Sequence, residues 1–229
     1  MSHLSLKGGL ERLSRKDYAA VHKDCLSAIE AKKDGAIAVF LLGVIAFDHG
    51  NFGKARELFE KAETLNPSEP YFSGYLAMTL STLRRSRLAQ KAADHAARFK
   101  IADAHLSDML GVIYSRCGFH ERAISHFKKA VAQNKSEPNY FFNLAASQQF
   151  LGDFGAAEAS YRQTLSLDPK NYRAWSSLTS LKKQTSQSHN LDTLKEAFAS
   201  QTLDPDAKLH LGHAIAKTLE DLGQHEDSL

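Results

Sequence analysis

Residues 36–69 contain the sequence feature that most limits what this chain can fold into. Two apolar runs are separated by a turn at Gly50-Asn51-Phe52, and Pro67 closes the second run. Apolar residues recur in both runs at helical spacing, and proline cannot continue a helix. The pattern therefore predicts two antiparallel helices packed against each other within one short stretch.

Small residues stand where these two helices should cross. Gly43 lies in the first run, and Ala55 and Ala62 lie on one face of the second, with larger side chains such as Leu42 and Phe59 around them. Small side chains let two helix backbones approach closely, while larger ones fill the surrounding volume. Because one helix pair cannot bury its own apolar face, further copies are expected along the chain.

Further copies of this helix pair follow along the chain at a constant spacing. Stepping by 34 residues predicts an array over 2–183, with repeats at 2–35, 36–69, 70–103, 104–137 and 138–171 and the start of a sixth at 172. The small positions that define these repeats are Gly43, Ala55, Ala62, Ala77, Ala89, Ala96, Gly111, Ala123, Ala130, Ala145 and Ala157. These small residues recur at equivalent positions of successive repeats, which indicates a repeat array.

Residues 184–229 depart from this register. A polar loop is predicted at 184–190, then a helix over 191–201, a break at Asp204-Pro205 and a last helix from about Asp206. Placing Gly223 at a turn makes the last helix the start of a truncated repeat, with Ala216 at its small position. The region is interpreted as a degenerate helical extension. Because repeat arrays normally close with a polar capping helix, a longer polypeptide is expected, with a short natural end as the alternative.

The repeated residues resemble the tetratricopeptide repeat (TPR) family across residues 2–171. The match is carried by Leu42-Gly43, Ala55, Phe59, Ala62 and Pro67 and by their in-phase equivalents. The resemblance implies an all-α fold, a right-handed superhelical solenoid of antiparallel helix pairs. It also implies that the first helices line a concave groove, where a partner usually binds, and that the second helices form the convex face.

A looser resemblance concerns the last helix, which is similar to the end of the TPR region in bacterial TPR–sulfotransferase fusion proteins. The matching residues are Leu211, Ala214, Ala216, Leu219, Glu220, Asp221, Leu222, Gly223 and Glu226. This resemblance implies that a sulfotransferase domain follows Leu229 and that the TPR region positions its protein or small-molecule substrate or mediates assembly. The phosphate-binding loop of such a domain is absent from this chain. The alternative is a free-standing cytoplasmic TPR adaptor.

The TPR resemblance implies which positions face the groove. The large side chains there are Phe40, Val44, Phe47, Tyr71, Met78, Val112, Arg116, Phe142, Gln149 and Phe150. An exposed apolar strip of this kind usually marks an interaction surface. The expected ligand is an amphipathic helix or an extended apolar segment, from another protein or from the missing C-terminal domain. The alternative is that superhelical curvature buries several of these side chains.

A known TPR binding mode is excluded by the residues. TPR proteins that grip a chaperone's C-terminal carboxylate use a set of lysine, asparagine and arginine side chains. Asn143 and Arg173 match that set, but Asp108, Val112 and Ser177 stand where lysine, asparagine and arginine are needed. The carboxylate clamp is therefore not predicted.

Charge and cysteine content point away from nucleic acid and from disulfides. The net charge of +3 is spread along the chain, and the basic cluster at 84–87 falls at a predicted turn, whereas nucleic-acid binding needs clustered Lys and Arg. Cys25 and Cys117 are far apart and are expected to be reduced. The N-terminus has no signal-peptide core and no later run suits a membrane span, so a cytoplasmic location is expected.

No catalytic constellation is apparent in this chain. No glycine-rich phosphate loop follows a strand-like run, and His210 and His213, spaced as metal ligands on one helix, have no further ligand at suitable spacing. No enzyme activity, cofactor or metal is predicted for these residues. The expected partner is a protein or peptide, and the oligomeric state is left open.

Overall fold

A computed structural model describes residues 4–187, 189–199 and 204–224, and every regular element in those ranges is a helix. The chain divides into two compact units, Met1–His126 and Phe127–Leu229. They are called here the N-terminal unit and the C-terminal unit, and the boundary lies inside one helix.

The N-terminal unit consists of consecutive helix pairs. Its helices are α1 (Leu6–Ser14), α2 (Tyr18–Glu30), α3 (Gly35–Asp48), α4 (Phe52–Leu65), α5 (Pro70–Thr82), α6 (Ser86–Ala96), α7 (Ala104–Arg116) and the first half of α8 (His120–Gln133). The helix α3 packs along α4, and α5 packs along α6. The odd-numbered helices are thus the first helices of the repeats.

The C-terminal unit continues the pairing and then departs from it. Its helices are the rest of α8, α9 (Pro138–Phe150), α10 (Phe154–Leu167), α11 (Tyr172–Ser180), α12 (Leu191–Phe198) and α13 (Pro205–Asp221). The helix expected over 191–201 ends earlier, at Phe198, and part of its predicted end lies outside the described residues. The helix α13 starts where Asp204 accepts a hydrogen bond from the Ala207 amide at 2.8 Å.

The backbone conformation recurs along the chain with the same spacing as the sequence repeat. In each of the five regular repeats, one residue at the turn between the two helices has a positive φ and a left-handed backbone conformation. These residues are Lys16, Gly50, Arg84, Gly118 and Gly152. Successive members are separated by the repeat length. Glycine adopts this conformation without strain, whereas Lys16 and Arg84 do so against the clash of their Cβ atoms.

Arg84→Gly is therefore expected to stabilise the chain by about 0.5–1 kcal/mol, because relief of the left-handed strain outweighs the extra freedom of glycine in the unfolded chain. Gly50→Ala, at the equivalent turn, should have the opposite sign. Chemical denaturation of both variants measures the difference. A loss of stability in Arg84→Gly would show that the arginine side chain matters more than its backbone angle.

The small positions predicted from the sequence are all buried. The N-terminal unit also contains a cluster of fully buried rings, Phe40, Phe59 and Phe72. The Phe40 and Phe72 rings stack with centroids 4.8 Å apart, and the Phe40 and Phe59 centroids are 5.5 Å apart. Since these residues come from α3, α4 and α5, one aromatic cluster joins two neighbouring repeats.

In the C-terminal unit, α13 runs parallel to α11. The Ser176 hydroxyl lies 3.3 Å from Nδ1 of His213, and the Gln184 amide donates to Asp221 at 2.9 Å. Both pairs are separated by 37 residues, so the two segments run in the same direction, as the first helices of consecutive repeats do. We interpret α12 as the shortened second helix of the repeat that begins with α11, and α13 as the first helix of the next.

Candidate functional site

A groove runs across the first helices of the N-terminal unit. It has a volume of about 750 Å³ and is lined by α1, α3, α5 and the segment that leads into α7. Leu6, Leu10 and Leu13 of α1 form one wall, since their spacing places them on one helix face. This surface is called the N-terminal groove.

Aromatic side chains form the other side of the N-terminal groove. Tyr71 and Tyr75 of α5 lie with their ring centroids 6.4 Å apart, next to Val44 of α3. Tyr75 in turn packs edge-on against the fully buried Phe40, at 5.1 Å. The groove surface is therefore continuous with the core, which holds Tyr75 in place and leaves Tyr71 half-exposed.

Two carboxylates stand beside these tyrosines. Asp48, at the end of α3, accepts a hydrogen bond from the Tyr18 hydroxyl at 3.3 Å. Asp103 caps α7 by accepting the Leu106 amide at 2.8 Å, and its carboxylate lies near enough to the Tyr71 hydroxyl to raise the pKa of that tyrosine. Both carboxylates are exposed at the edge of the groove.

The electrostatics of the groove follow from burial and from these carboxylates. Burial, followed by the charges of Asp48 and Asp103, raises the pKa of Tyr75 to about 12. Burial also raises the pKa of Tyr71, with the Asp103 hydrogen bond as the next cause, and burial raises the pKa of Asp48. The tyrosines thus stay neutral at physiological pH, in a field that disfavours anions and favours cations.

In the N-terminal unit, some of the residues predicted to line the groove do so and others are buried elsewhere. Val44 and Tyr71 line the N-terminal groove. The prediction for Phe40 is wrong, because its ring has no exposed surface and belongs to the aromatic cluster. Phe47 is half-buried and packs against Phe52 at 5.2 Å, at the turn after α3. Superhelical packing therefore removes part of the predicted strip, as the alternative interpretation expected.

The remaining predicted residues lie away from the N-terminal groove. Met78 and Val112 are half-buried and Arg116 is exposed. In the C-terminal unit, Gln149 accepts a hydrogen bond from the Tyr161 hydroxyl at 2.9 Å, and Phe150 is 70% exposed. Whether these side chains contact a partner stays a prediction.

Phe142, also predicted to face the groove, lines a smaller pocket of about 260 Å³ in the C-terminal unit. The Arg173 guanidinium lies over its ring at 4.7 Å, and Lys170, Asp204 and His210 also line the pocket. The Arg173 guanidinium therefore covers part of the apolar surface that Phe142 offers. The apolar character of the N-terminal groove has no counterpart in this pocket.

Sequence reasoning missed the leucines of α1. The first repeat matches the template most weakly, so its concave positions were not assigned. A signal was present, because Leu6, Leu10 and Leu13 follow helical spacing on one face. Asp48 and His105 also line the groove and were not among the predicted groove residues.

The structure also brings together serine, histidine and glutamate side chains. Ser73 Oγ lies 2.6 Å from Oε1 of Glu63 and 2.8 Å from Nδ1 of His95, and the same Nδ1 lies 3.0 Å from Glu63. A catalytic triad needs serine and acid on opposite imidazole nitrogens. Here both contact one nitrogen and Ser73 is fully buried, so the cluster joins α4, α5 and α6 as a structural contact.

Within the described residues, the histidine, cysteine and acidic side chains do not assemble into a metal site, because no group of three of them is placed to hold a metal ion. His210 lies 3.7 Å from Asp206, and His213 contacts Ser176. None of the described helices combines the length and apolar character needed to cross a membrane.

Comparison with known families identifies the repeats. Models of the tetratricopeptide repeat match residues 36–69 and residues 138–171, with the same bounds as two of the repeats predicted above. The chain contains tetratricopeptide repeats. The matched repeats are α3–α4 and α9–α10, one in each unit.

Two human proteins are similar to this TPR chain. Tetratricopeptide repeat protein 7A is 28% identical over 154 residues, which cover 67% of this chain and 18% of that protein. Protein O-mannosyl-transferase TMTC1 is 24% identical over 138 residues, covering 58% of this chain and 16% of that protein. The chain thus spans less than a fifth of the length of either relative.

Solved structures share the fold. YrrB, described as a TPR protein with an unusual peptide-binding site, aligns with a TM-score of 0.62 at 16% identity, over 89% of this chain and 95% of YrrB. PilF of Pseudomonas aeruginosa aligns with a TM-score of 0.62 at 20% identity, over 84% of this chain and 88% of PilF. MamA aligns with a TM-score of 0.56 at 16% identity, over 82% of this chain and 97% of MamA. The predicted all-α TPR solenoid class is confirmed.

Proposed function

We propose that this chain is a non-catalytic protein–protein interaction module that binds an apolar peptide segment or helix of a partner protein in the N-terminal groove. The observation that carries the proposal is the groove itself, a concavity of about 750 Å³ with leucines on one wall and tyrosines on the other. A largely apolar concavity with a few polar groups is the usual form of a binding site.

The groove suits a peptide for two physical reasons. Leu6, Leu10 and Tyr71 are half-exposed, so a bound segment gains stability by removing their apolar surface from water. Tyr71 packs along Tyr75, which is fixed by the core, so little side-chain entropy is lost on binding. The description of YrrB as a peptide-binding TPR protein supports this use of the fold.

Selection from a displayed library of random peptides tests the proposal. Peptides enriched on the native chain are expected to contain apolar or aromatic residues and to lose binding to Leu10→Asp by a factor of about 10 or more, because the substitution places a charge on the leucine wall. Affinities are measured by fluorescence polarisation of resynthesised peptides.

The matched control is Leu88→Asp. Leu88 lies on α6, is 50% exposed and does not line the N-terminal groove, so the same chemical change there should leave peptide binding intact. Both variants should melt close to the native chain. Equal binding by native chain and Leu10→Asp, with all proteins folded, would refute the groove as the binding site.

The role of the whole protein is a separate proposal. The resemblance of α13 to TPR–sulfotransferase fusions predicts a catalytic domain after Leu229, for which the TPR region would position a substrate or mediate assembly, and the alternative is a free-standing cytoplasmic adaptor. The reading frame beyond Leu229 distinguishes them. A phosphate-binding loop followed by an α/β pattern supports the fusion, and a stop codon within a few codons supports the adaptor.

A further inference from the structure

We propose that the segment bound in the N-terminal groove belongs to a partner protein and carries a lysine or arginine, whose cation sits between Asp48 and Asp103. This inference rests on the proposed function and names the chemistry of the partner. It is argued from the charges at the groove edge and from the aromatic surface between them.

The two carboxylates act on the same place in the groove. Both line it together with Tyr71 and Tyr75, and both act electrostatically on the Tyr75 hydroxyl. Asp48 comes from the end of α3 and Asp103 from the N-cap of α7. They therefore approach the tyrosines from two different repeats, and the fold of both repeats is needed to bring them together.

The basic side chains near these carboxylates, which include His49, Lys7 and His105, form no salt bridge with them in the described part of the chain. Asp48 accepts a hydrogen bond from the Tyr18 hydroxyl and Asp103 lies near the Tyr71 hydroxyl, and within the described residues neither carboxylate forms a salt bridge with lysine or arginine. The other acid of the groove, Glu11, lies 3.9 Å from Lys7 in its own helix. Asp48 and Asp103 are thus the groove acids whose charge is left for a ligand to neutralise.

A cation is the ligand group that fits these surroundings. A lysine or arginine gains from both carboxylates and from the half-exposed Tyr71 ring, since aromatic rings attract cations. A peptide carboxylate would instead be repelled by both aspartates. This agrees with the lack of the carboxylate-clamp residues, because Asp108 and Val112 stand where that clamp needs lysine and asparagine.

The library selection is repeated on the double variant Asp48→Asn/Asp103→Asn. Peptides selected on the native chain, and dependent on Leu10, should be enriched in lysine or arginine, and the enrichment should vanish on the double variant. The control is Glu57→Gln/Glu60→Gln, which removes two exposed carboxylates of α4 that do not line the groove. Selection on this control should keep the enrichment.

A double-mutant cycle then tests the pairing directly. A selected peptide is resynthesised with its basic residues replaced by glutamine. This change should weaken binding about tenfold on the native chain and less than about twofold on Asp48→Asn/Asp103→Asn, because the aspartates are the partners of the cation. Equal weakening on both proteins would overturn the inference.

The outcomes separate this inference from the proposed function. Peptides that depend on Leu10 but show no basic enrichment would overturn the inference and leave the binding groove standing. A selection that yields no peptide dependent on Leu10 would overturn both. Enrichment of acidic residues in the selected peptides would also overturn the inference. The two aspartates would repel such residues, which would have to bind a positively charged group elsewhere in the groove.

Discussion

Phe40→Ala is expected to lower the free energy of unfolding by about 3–5 kcal/mol, the usual cost of removing a fully buried phenylalanine. The Phe40 ring has no exposed surface and contacts Phe59, Phe72 and Tyr75, with centroid distances of 5.5, 4.8 and 5.1 Å. Truncation leaves a cavity between two repeats. Urea denaturation followed by circular dichroism measures the loss.

Phe150→Ala is the matched control, because the same atoms are removed from a ring that is 70% exposed. Its expected effect on stability is within about 0.5 kcal/mol. The comparison also tests the assignment of Phe40 to the core. If Phe40→Ala kept full stability and lost only peptide binding, Phe40 would belong to the binding surface after all.

Gly43→Ala has the second large expected effect, a destabilisation of about 1–3 kcal/mol from overpacking. A Cβ atom at this position would lie 2.6 Å from Cε1 and 2.8 Å from Cδ1 of Phe59. The Phe59 ring cannot move away freely, because it is fully buried and flanked by Phe40 and Tyr75 at 5.5 and 5.6 Å. One added methyl group should therefore force α3 and α4 apart.

Gly53→Ala is the matched control for this prediction. Gly53 lies in α4, and a Cβ there would meet nothing within 4 Å, so the substitution should stabilise the helix by up to about 1 kcal/mol. Combining Gly43→Ala with Phe59→Leu should restore part of the lost stability, since the smaller side chain makes room for the methyl. Equal stability of Gly43→Ala and native chain would contradict the close packing of α3 on α4.

The binding variants and the stability variants probe different parts of one row of packed aromatic rings, which runs from the core to the groove. Phe40 forms its buried end and Tyr71 its exposed end, with Tyr75 between them. Substitutions at the buried end should change unfolding, and substitutions of exposed groove residues such as Asp48 or Leu10 should change binding alone. This separation lets a stability effect be told apart from an effect on the ligand.

The sequence determined the repeat phase. Small residues such as Gly43 and Ala55 recur at one spacing, and this information is local, because it depends on how two helices joined by a short turn pack together. The same locality explains why the last helix and the turn at Gly223 were predicted, although the earlier end of α12 at Phe198 was not.

Only the tertiary structure decided which side chains remain accessible in the groove. The TPR resemblance placed both Phe40 and Val44 on the concave side, but contact with α5 of the next repeat buries Phe40 completely, whereas Val44 lines the groove. Contacts between repeats also bring Asp48 of α3 and Asp103 before α7 to the same tyrosines. Such contacts join residues that are distant along the chain, so periodicity within one repeat carries no information about them.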